Sequence, residues 1–147
     1  MLSQIFDPFY LVSGVVCSAL VALLTHSLLF RTSPGRGAPR KAIIFVVYCF
    51  YLFFQIAVAN LDVVYRALHP QMPIHPGIVK IKTNLKSDSA ITALANSITL
   101  TPGTLTVDVT DDGYLYVHWI NVKSTDVDEA TRLIAEKFEF FIERIFE

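Results

Sequence analysis

The chain has 147 residues, of which 53% are hydrophobic and 17% charged, and its formal net charge is -1. That length holds a membrane part plus a small soluble part, and no block is basic enough for a nucleic-acid partner. Its two cysteines, Cys17 and Cys49, both lie in apolar runs, with no CxxC or HxxxH spacing, and are read as buried small side chains and not as a disulfide or a metal pair.

The near-neutral total hides an asymmetry. Residues 1–60 carry Arg31, Arg36, Arg40 and Lys41 against Asp7 alone, while residues 61–147 carry eight basic and twelve acidic side chains. From Phe9 to Phe30 the chain is an uncharged run of 22 residues. At the α-helical rise it spans roughly 33 Å, enough for a hydrocarbon core of about 30 Å. No Lys or Arg precedes it, and it exceeds the apolar region of a signal peptide, so the expectation is a retained transmembrane helix. His26 is its one ionisable residue, read equally as an intramembrane functional group or an interfacial side chain. The following loop, RTSPGRGAPRK at 31–41, is broken by two Pro and two Gly, and its four positive charges mark the cytoplasmic side.

A second apolar run covers 42–59, with Gln55 its only strongly polar residue, and a helical pattern continues to residue 68 before Pro70. Gln55, Ala59, Asp62 and Arg66 share one face, and Asp62 and Arg66 have ion-pair spacing. This stripe is read with equal weight as a surface for a protein partner and as a solvated face where the helix leaves the membrane. Topology stays open between two arrangements. A full crossing of run 2 puts the basic loop and the C-terminal part on opposite sides; an interfacial or re-entrant run 2 leaves both in the cytoplasm.

Pro70, Pro73, Pro76 and Gly77 predict a stiff extended linker, flanked by His69 and His75 without a third ligand. A strand follows over 77–83, with Val79 and Ile81 inward, then a helix capped by Ser87 or Asp88 and running to about Leu100. Ile91, Leu94, Ala95 and Ile98 form its apolar face. Pro102 and Gly103 stop it, and Leu105, Val107 and Val109 then alternate with Thr104, Thr106 and Asp108 as in a half-buried strand. Asp111-Asp112-Gly113 predicts a hairpin turn into a strand over 114–120, large on both faces and so expected at the sheet centre. Asp126 and Glu129 form a capping box for one final helix whose stripe runs from Val127 to Ile145. Phe140 and Phe146 lie off that stripe, which predicts a second buried face.

The expected fold class is thus a membrane α-helical N-terminal part, residues 1–69 with helices over about 9–30 and 42–68, plus a small α+β domain over 70–147. The order is β-α-β-β-α, with helices on one side of a small sheet. A domain of that size has a marginal core of its own, which predicts that it leans on a membrane partner. Chemistry is sparse. Asp108, Asp111, Asp112 and His118 near the hairpin are read as turn formers and solvated strand residues. The threonines Thr99, Thr101, Thr104 and Thr106 are read as satisfying backbone groups at the helix-to-strand turn, not as a phosphate cradle. No carboxylate lies within either apolar run, so no ion path is expected in this chain alone.

NSITLTPGTLTVDV at 96–109, with IKTNLKSD at 81–88 before it and LYVHWI at 115–120 after it, resembles the E-type subunit of the Mrp-type multisubunit monovalent cation (Na+)/proton antiporter. The resemblance covers about Phe9 to the C-terminus. It implies a small integral component of a bacterial inner-membrane complex, multi-pass, with a cytoplasmic C-terminal domain. It also implies an accessory role in assembly and cation efflux, the ion path being assigned to large polytopic subunits. Family members commonly carry a further short hydrophobic segment at the N-terminus. Only MLSQIFD precedes the first run here, so the resemblance implies an absent span or an upstream start. The partners expected are the other antiporter subunits and the bilayer. No enzyme activity, cofactor or metal, and no small molecule bound by this chain alone, is expected. The structural and interface residues singled out are Thr101, Pro102, Gly103 and Thr104 at the turn, and Asp62, Arg66 and Trp119 as partner contacts. The alternative from another class is a membrane-tethered cytoplasmic binding module.

Overall fold

Between Pro39 and Pro70 there is neither proline nor glycine to interrupt a helix. In the computed structural model, which describes residues 8–29 and 38–147, that stretch forms one unbroken helix. This helix, α2, is Ala38–Leu68, and α1 before it is Pro8–Leu29. Pro8 and Pro39 fall in first turns, where a missing N–H costs nothing. The side chain of His26 and the loop residues Arg31 and Arg36 lie outside the described residues. The chain divides into two compact units, Met1–Arg36 and Gly37–Glu147. The second takes in α2, which packs along the α+β part.

The remaining elements are β1 Gly77–Lys82, α3 Asp88–Leu100, β2 Thr104–Val109, β3 Tyr114–Trp119, α4 Val127–Ile134 and α5 Glu136–Phe146. The three strands are antiparallel in the order β1-β3-β2, so β3 is central as its two large faces predict. Val79 and Ile81 of β1 and Leu115 and Val117 of β3 are buried under the helices, with Leu94, Ile98, Ile134, Phe138 and Ile142 above them. On the other face Lys80 lies 3.7 Å over the Tyr114 ring. Ser87 caps α3, accepting from the Ala90 N–H at 3.2 Å. The Asp111-Asp112-Gly113 turn closes with Gly113 at φ 77 and a Thr110 N–H to Tyr114 O bond of 2.9 Å.

Five expectations are corrected. The linker is not extended: it turns at 69–72 with Met72 at φ 40, and His75 then pairs with Asn121. The His75 N–H donates to Ile120 O at 3.2 Å and the Val122 N–H to His75 O at 2.9 Å, which ties the segment to the end of β3. The final helix is two helices, broken at Ala135, so that α4 covers β1 while α5 reaches α2 and α3. Asp126 caps α4 by accepting from the Glu129 N–H at 3.0 Å, but the reciprocal half of the box is absent: the Asp126 N–H donates to Ser124 Oγ at 3.2 Å. Off the main stripe, Phe140 and Phe146 stay 50% and 39% exposed, and it is Phe141 that packs on α2.

The fifth correction concerns β2. Leu105 points out, paired with His118 on the outer face, while Thr104 and Thr106 turn toward α3; past Thr106 Val109 pairs with Leu115 on the helix side and yet stays exposed, as Val107 does. A bulge between Thr106 and Asp108 breaks the alternation. The reason is hydrogen bonding. Thr106 Oγ1 donates to Ala95 O at 3.2 Å, Thr104 Oγ1 to Ile98 O at 2.7 Å, and the Thr106 N–H to Thr99 Oγ1 at 3.2 Å. Inward threonines therefore add side-chain donors to α3 carbonyls, Ile98 O accepting from the Thr101 N–H as well, and tie β2 to the end of that helix.

Two substitutions separate these faces. Phe138→Ala empties a fully buried position and is expected to cost about 4 kcal/mol. Leu105→Thr, on the outer face, is expected to stay within about 0.5 kcal/mol. Thermal unfolding of the detergent-solubilised chain reads both, and a large loss for Leu105→Thr would restore the alternating pattern.

Candidate functional site

A stripe of side chains at helical spacing runs down α2: Tyr48 is buried, and Tyr51, Leu52, Gln55, Ala59, Val63 and Arg66 are half-buried. Tyr48 and Tyr51 stack on Phe141 with ring centroids 5.7 and 5.0 Å apart, and Tyr51 meets the edge of Phe138 at 6.5 Å. The Ser97 hydroxyl donates to Ala93 O at 2.6 Å, so it accepts from the Tyr48 hydroxyl. Gln55 Nε2 donates to the Tyr51 hydroxyl at 2.8 Å, and Lys137 Nζ reaches Gln55 Oε1 at 3.5 Å. Burial holds the Lys137 ammonium below its ordinary range, and the positive charge of Lys123 adds to this.

The C-terminal end of the stripe gathers the residues singled out in the sequence. Arg66 forks onto Asp62 at 2.8 and 3.1 Å and donates to Pro73 O at 2.7 Å. With the Asn121 amide oriented to satisfy its neighbours, its oxygen accepts from both terminal nitrogens of Arg66 at 3.2 Å. Next along the chain, the Ile120 N–H donates to Gly103 O at 2.8 Å. Gly103 has φ 89, and a Cβ there would meet Ile120 Cγ2 at 2.8 Å and Val63 Cγ2 at 3.7 Å. Thr101 Oγ1 donates to Ser97 O at 2.8 Å, Thr104 Oγ1 lies 2.8 Å from Thr101 O, and Thr104 pairs with Trp119 across β2 and β3. Pro102 is half-buried beside them. The turn 101–104, the end of β3 and the Asp62–Arg66 pair therefore converge beside the last two turns of α2.

The stripe's upper half was missed by sequence reasoning. Tyr48 and Tyr51 stand seven and four residues before Gln55, on the face already marked by Gln55 and Ala59, so extending that face backward would have found them. Asp108, Asp111 and Asp112 are exposed, and His118 shares the outer sheet face with Tyr116. Among the described residues no group of three or more His, Cys, Asp or Glu is placed to hold a metal ion. What the arrangement does chemically is hold a helix: aromatic stacking, one short hydroxyl link from Tyr48 to Ser97, a long one from Lys137 to Gln55, and one guanidinium hub.

The family described as Na+/H+ ion antiporter subunit matches residues 1–145. The chain is 44% identical over 90 residues to the E-type Na(+)/H(+) antiporter subunit of Alkalihalophilus pseudofirmus, covering 60% of this chain and 56% of that one. It is 39% identical over 106 residues to the Bacillus subtilis protein of the same description, covering 71% and 66%. The matches thus span less than two thirds of these relatives' lengths. Among solved structures, one chain of the membrane-bound sulfane sulfur reductase, an archaeal respiratory membrane complex, is 43% identical. It superposes with a TM-score of 0.78 over 99% of this chain and 89% of that one. A chain of the Mrp complex from Dietzia sp. is 29% identical with a TM-score of 0.51, over 70% and 96%.

Gly103→Val adds a β-branched side chain at a positive φ and drives it into Ile120; the expected cost is about 3 kcal/mol, seen as a lower thermal midpoint. Lys137→Met keeps the stem and removes a desolvated charge, so it should raise the midpoint. The folded pKa of Lys137 is lowered, so the parent carries its full penalty below that pKa and loses it as pH rises toward 10.5. The gain from Lys137→Met should therefore be largest near neutrality and shrink at alkaline pH; a gain independent of pH would assign it to packing alone.

Proposed function

The chain belongs to the Na+/H+ ion antiporter subunit family, and from that premise we propose that it is an accessory component of a multisubunit monovalent cation/proton antiporter. It supports assembly and cation efflux and carries no ion path of its own. The observation that supports this is how the polar groups of α2 are used. From Ala42 to Leu61 the helix has no charged residue, and its polar stripe is engaged by the chain's own α+β unit through Ser97, Phe141, Lys137 and the turn at Gly103. A transport path needs ionisable or polar groups facing a cavity, and here those groups face a packed seam. The family assignment is to a transporter subunit and not to an enzyme.

In this reading residues 1–69 are the membrane region of a bacterial inner-membrane protein. The α+β part over 70–147 stands on the cytoplasmic side, the side that the basic loop at 31–41 marks, when α2 does not cross the bilayer. The partners are the bilayer and the other antiporter subunits. Thr101, Pro102, Gly103 and Thr104 act by setting the α3–β2 turn against α2. The exposed Asp62 carboxylate and the half-buried Trp119 are contacts for neighbouring subunits, with Arg66 holding Asp62 in place.

Affinity purification of the tagged chain from its native membrane in mild detergent tests this. Large polytopic subunits should co-purify in fixed ratio. Gly103→Val should lower the yield of complex and of transport together in everted vesicles. A lone chain, or soluble partners only, would overturn the accessory role in favour of a tethered binding module. Normal yield with lost transport would instead assign the turn a direct part in ion movement.

A further inference from the structure

α2 passes the length and hydropathy test for a bilayer span, with a mean hydropathy of 2.4 over its most apolar window, but its two sides differ. From Tyr48 to Arg66 one side is held against the α+β unit, by Ser97 and Phe141 at one end and Pro73 and Asn121 at the other. Those contacts extend over about 27 Å of helix axis. Only Ala38 to Val47 lies ahead of them, about 15 Å, half of a hydrocarbon core of about 30 Å. A crossing centred on the uncharged stretch 42–59 would carry Lys137, which touches Gln55, and the charged residues beside it on α5 into the hydrocarbon, about 7 Å from the bilayer centre. Hydrocarbon does not accept such groups without cost.

The opposite side is open and apolar. Val46, Phe50, Phe53, Ala57, Leu61 and Val64 recur at helical spacing, and Phe50, Phe53 and Leu61 are each at least 70% exposed. These side chains are mostly large. Helix–helix interfaces in membranes favour small residues that let backbones approach, so this face suits lipid better than a neighbouring helix. At the N-terminus of α2, Arg40 and Lys41 stand in a first turn with no acidic residue, where they oppose the helix dipole. Among the described residues neither makes an ion pair. An anionic surface at that end would stabilise both.

We propose that α2 lies in the plane of the membrane surface. Its open face is sunk into the acyl boundary, its other face carries the α+β unit, and Arg40 and Lys41 rest against anionic lipid headgroups. The uncharged α1 run brings the chain to the bilayer only eight residues upstream, at residues 30–37. Of the two topologies open from sequence, this one leaves the basic loop and the α+β unit on the same side.

Site-directed spin labelling of the full chain tests the proposal in vesicles of phosphatidylethanolamine and phosphatidylglycerol and again in native membranes. Single labels go on Val46→Cys, Phe53→Cys, Ala57→Cys and Val64→Cys with both native cysteines replaced by serine. The native Cys49, exposed on α2, serves as a label in Cys17→Ser with α2 otherwise intact. The ratio of oxygen to nickel-chelate accessibility reports depth. In-plane placement predicts similar shallow depths for all five, within about 10 Å of the headgroups. A crossing predicts a depth that passes through the bilayer centre, with Val46 and Val64 separated by up to about 27 Å along the axis; that result would overturn the proposal. Labels shielded from both reagents in native membranes would assign the face to a protein partner and overturn it too. Depth is read in the chain itself, so the result is independent of whether antiporter subunits co-purify.

Discussion

Tyr48 and Tyr51 packed on Phe141, with Tyr51 also against the edge of Phe138, are the contact on which the rest of this structure depends. A three-stranded sheet with short helices buries little apolar surface on its own. Here α5 is sandwiched: Phe138 and Ile142 face the core, while Phe141 faces the two tyrosines. The break at Ala135 makes this possible, because it lets α4 lie on β1 while α5 turns toward α2 and α3. The α+β unit thus takes part of its core from a helix that composition alone assigns to the membrane. Aromatic packing at that seam is reinforced by hydrogen bonds that only Tyr and Gln could supply, which accounts for polar side chains in an otherwise apolar run.

The second constraint is the α3–β2 turn. A helix that ends in the interior leaves carbonyls to be satisfied. The chain answers with threonines, Thr101 bonding Ser97 O and Thr104 bonding Ile98 O, and with Gly103 at a positive φ so the strand can leave immediately. Once Thr104 and Thr106 are committed inward, Leu105 must point outward. Hydrogen-bond satisfaction here overrides the hydrophobic alternation, and the bulge after Thr106 absorbs the mismatch with β3. Because Gly103 also lies against Val63 of α2 and Ile120 after β3, the turn couples three elements at one point.

Much of this was readable from the sequence where a single local rule acts. The length of α2, the Ser87 cap, the Gly113 turn and the inward Val79 and Ile81 each follow from spacing or from one residue's backbone preference. The failures have a common cause, since each depends on a contact distant in sequence. The face of β2 is set by α3, the helix break at Ala135 by what α4 and α5 separately cover, and the folded linker by the Arg66 guanidinium on Pro73 O. Of the candidate site, Asp62, Arg66, Gly103 and their neighbours were found because ion-pair spacing and Pro-Gly are local signals. Tyr48 was not, because a buried tyrosine inside an apolar run looks the same as one facing lipid until its partner is known.

That ambiguity is physical, and it bears on how apolar helices are read. A hydropathy window sums composition and discards direction, so a helix apolar on every side and one with a polar stripe give the same mean. Environment is decided by direction. A lipid-surrounded helix has no use for a tyrosine hydroxyl such as that of Tyr48, whose partner Ser97 lies outside the helix, because hydrocarbon lacks such a partner; Tyr51 and Gln55 bond each other within α2, and Gln55 also meets Lys137. A helix lying between a folded unit and a bilayer surface uses such a stripe on one side and large apolar side chains on the other. In α2 the stripe meets the folded unit at Tyr48 on Ser97, Gln55 on Lys137 and Arg66 on Pro73, while Tyr51–Gln55 and Asp62–Arg66 pair within the helix. The polar positions within an apolar run therefore carry more information about its placement than the apolar ones do.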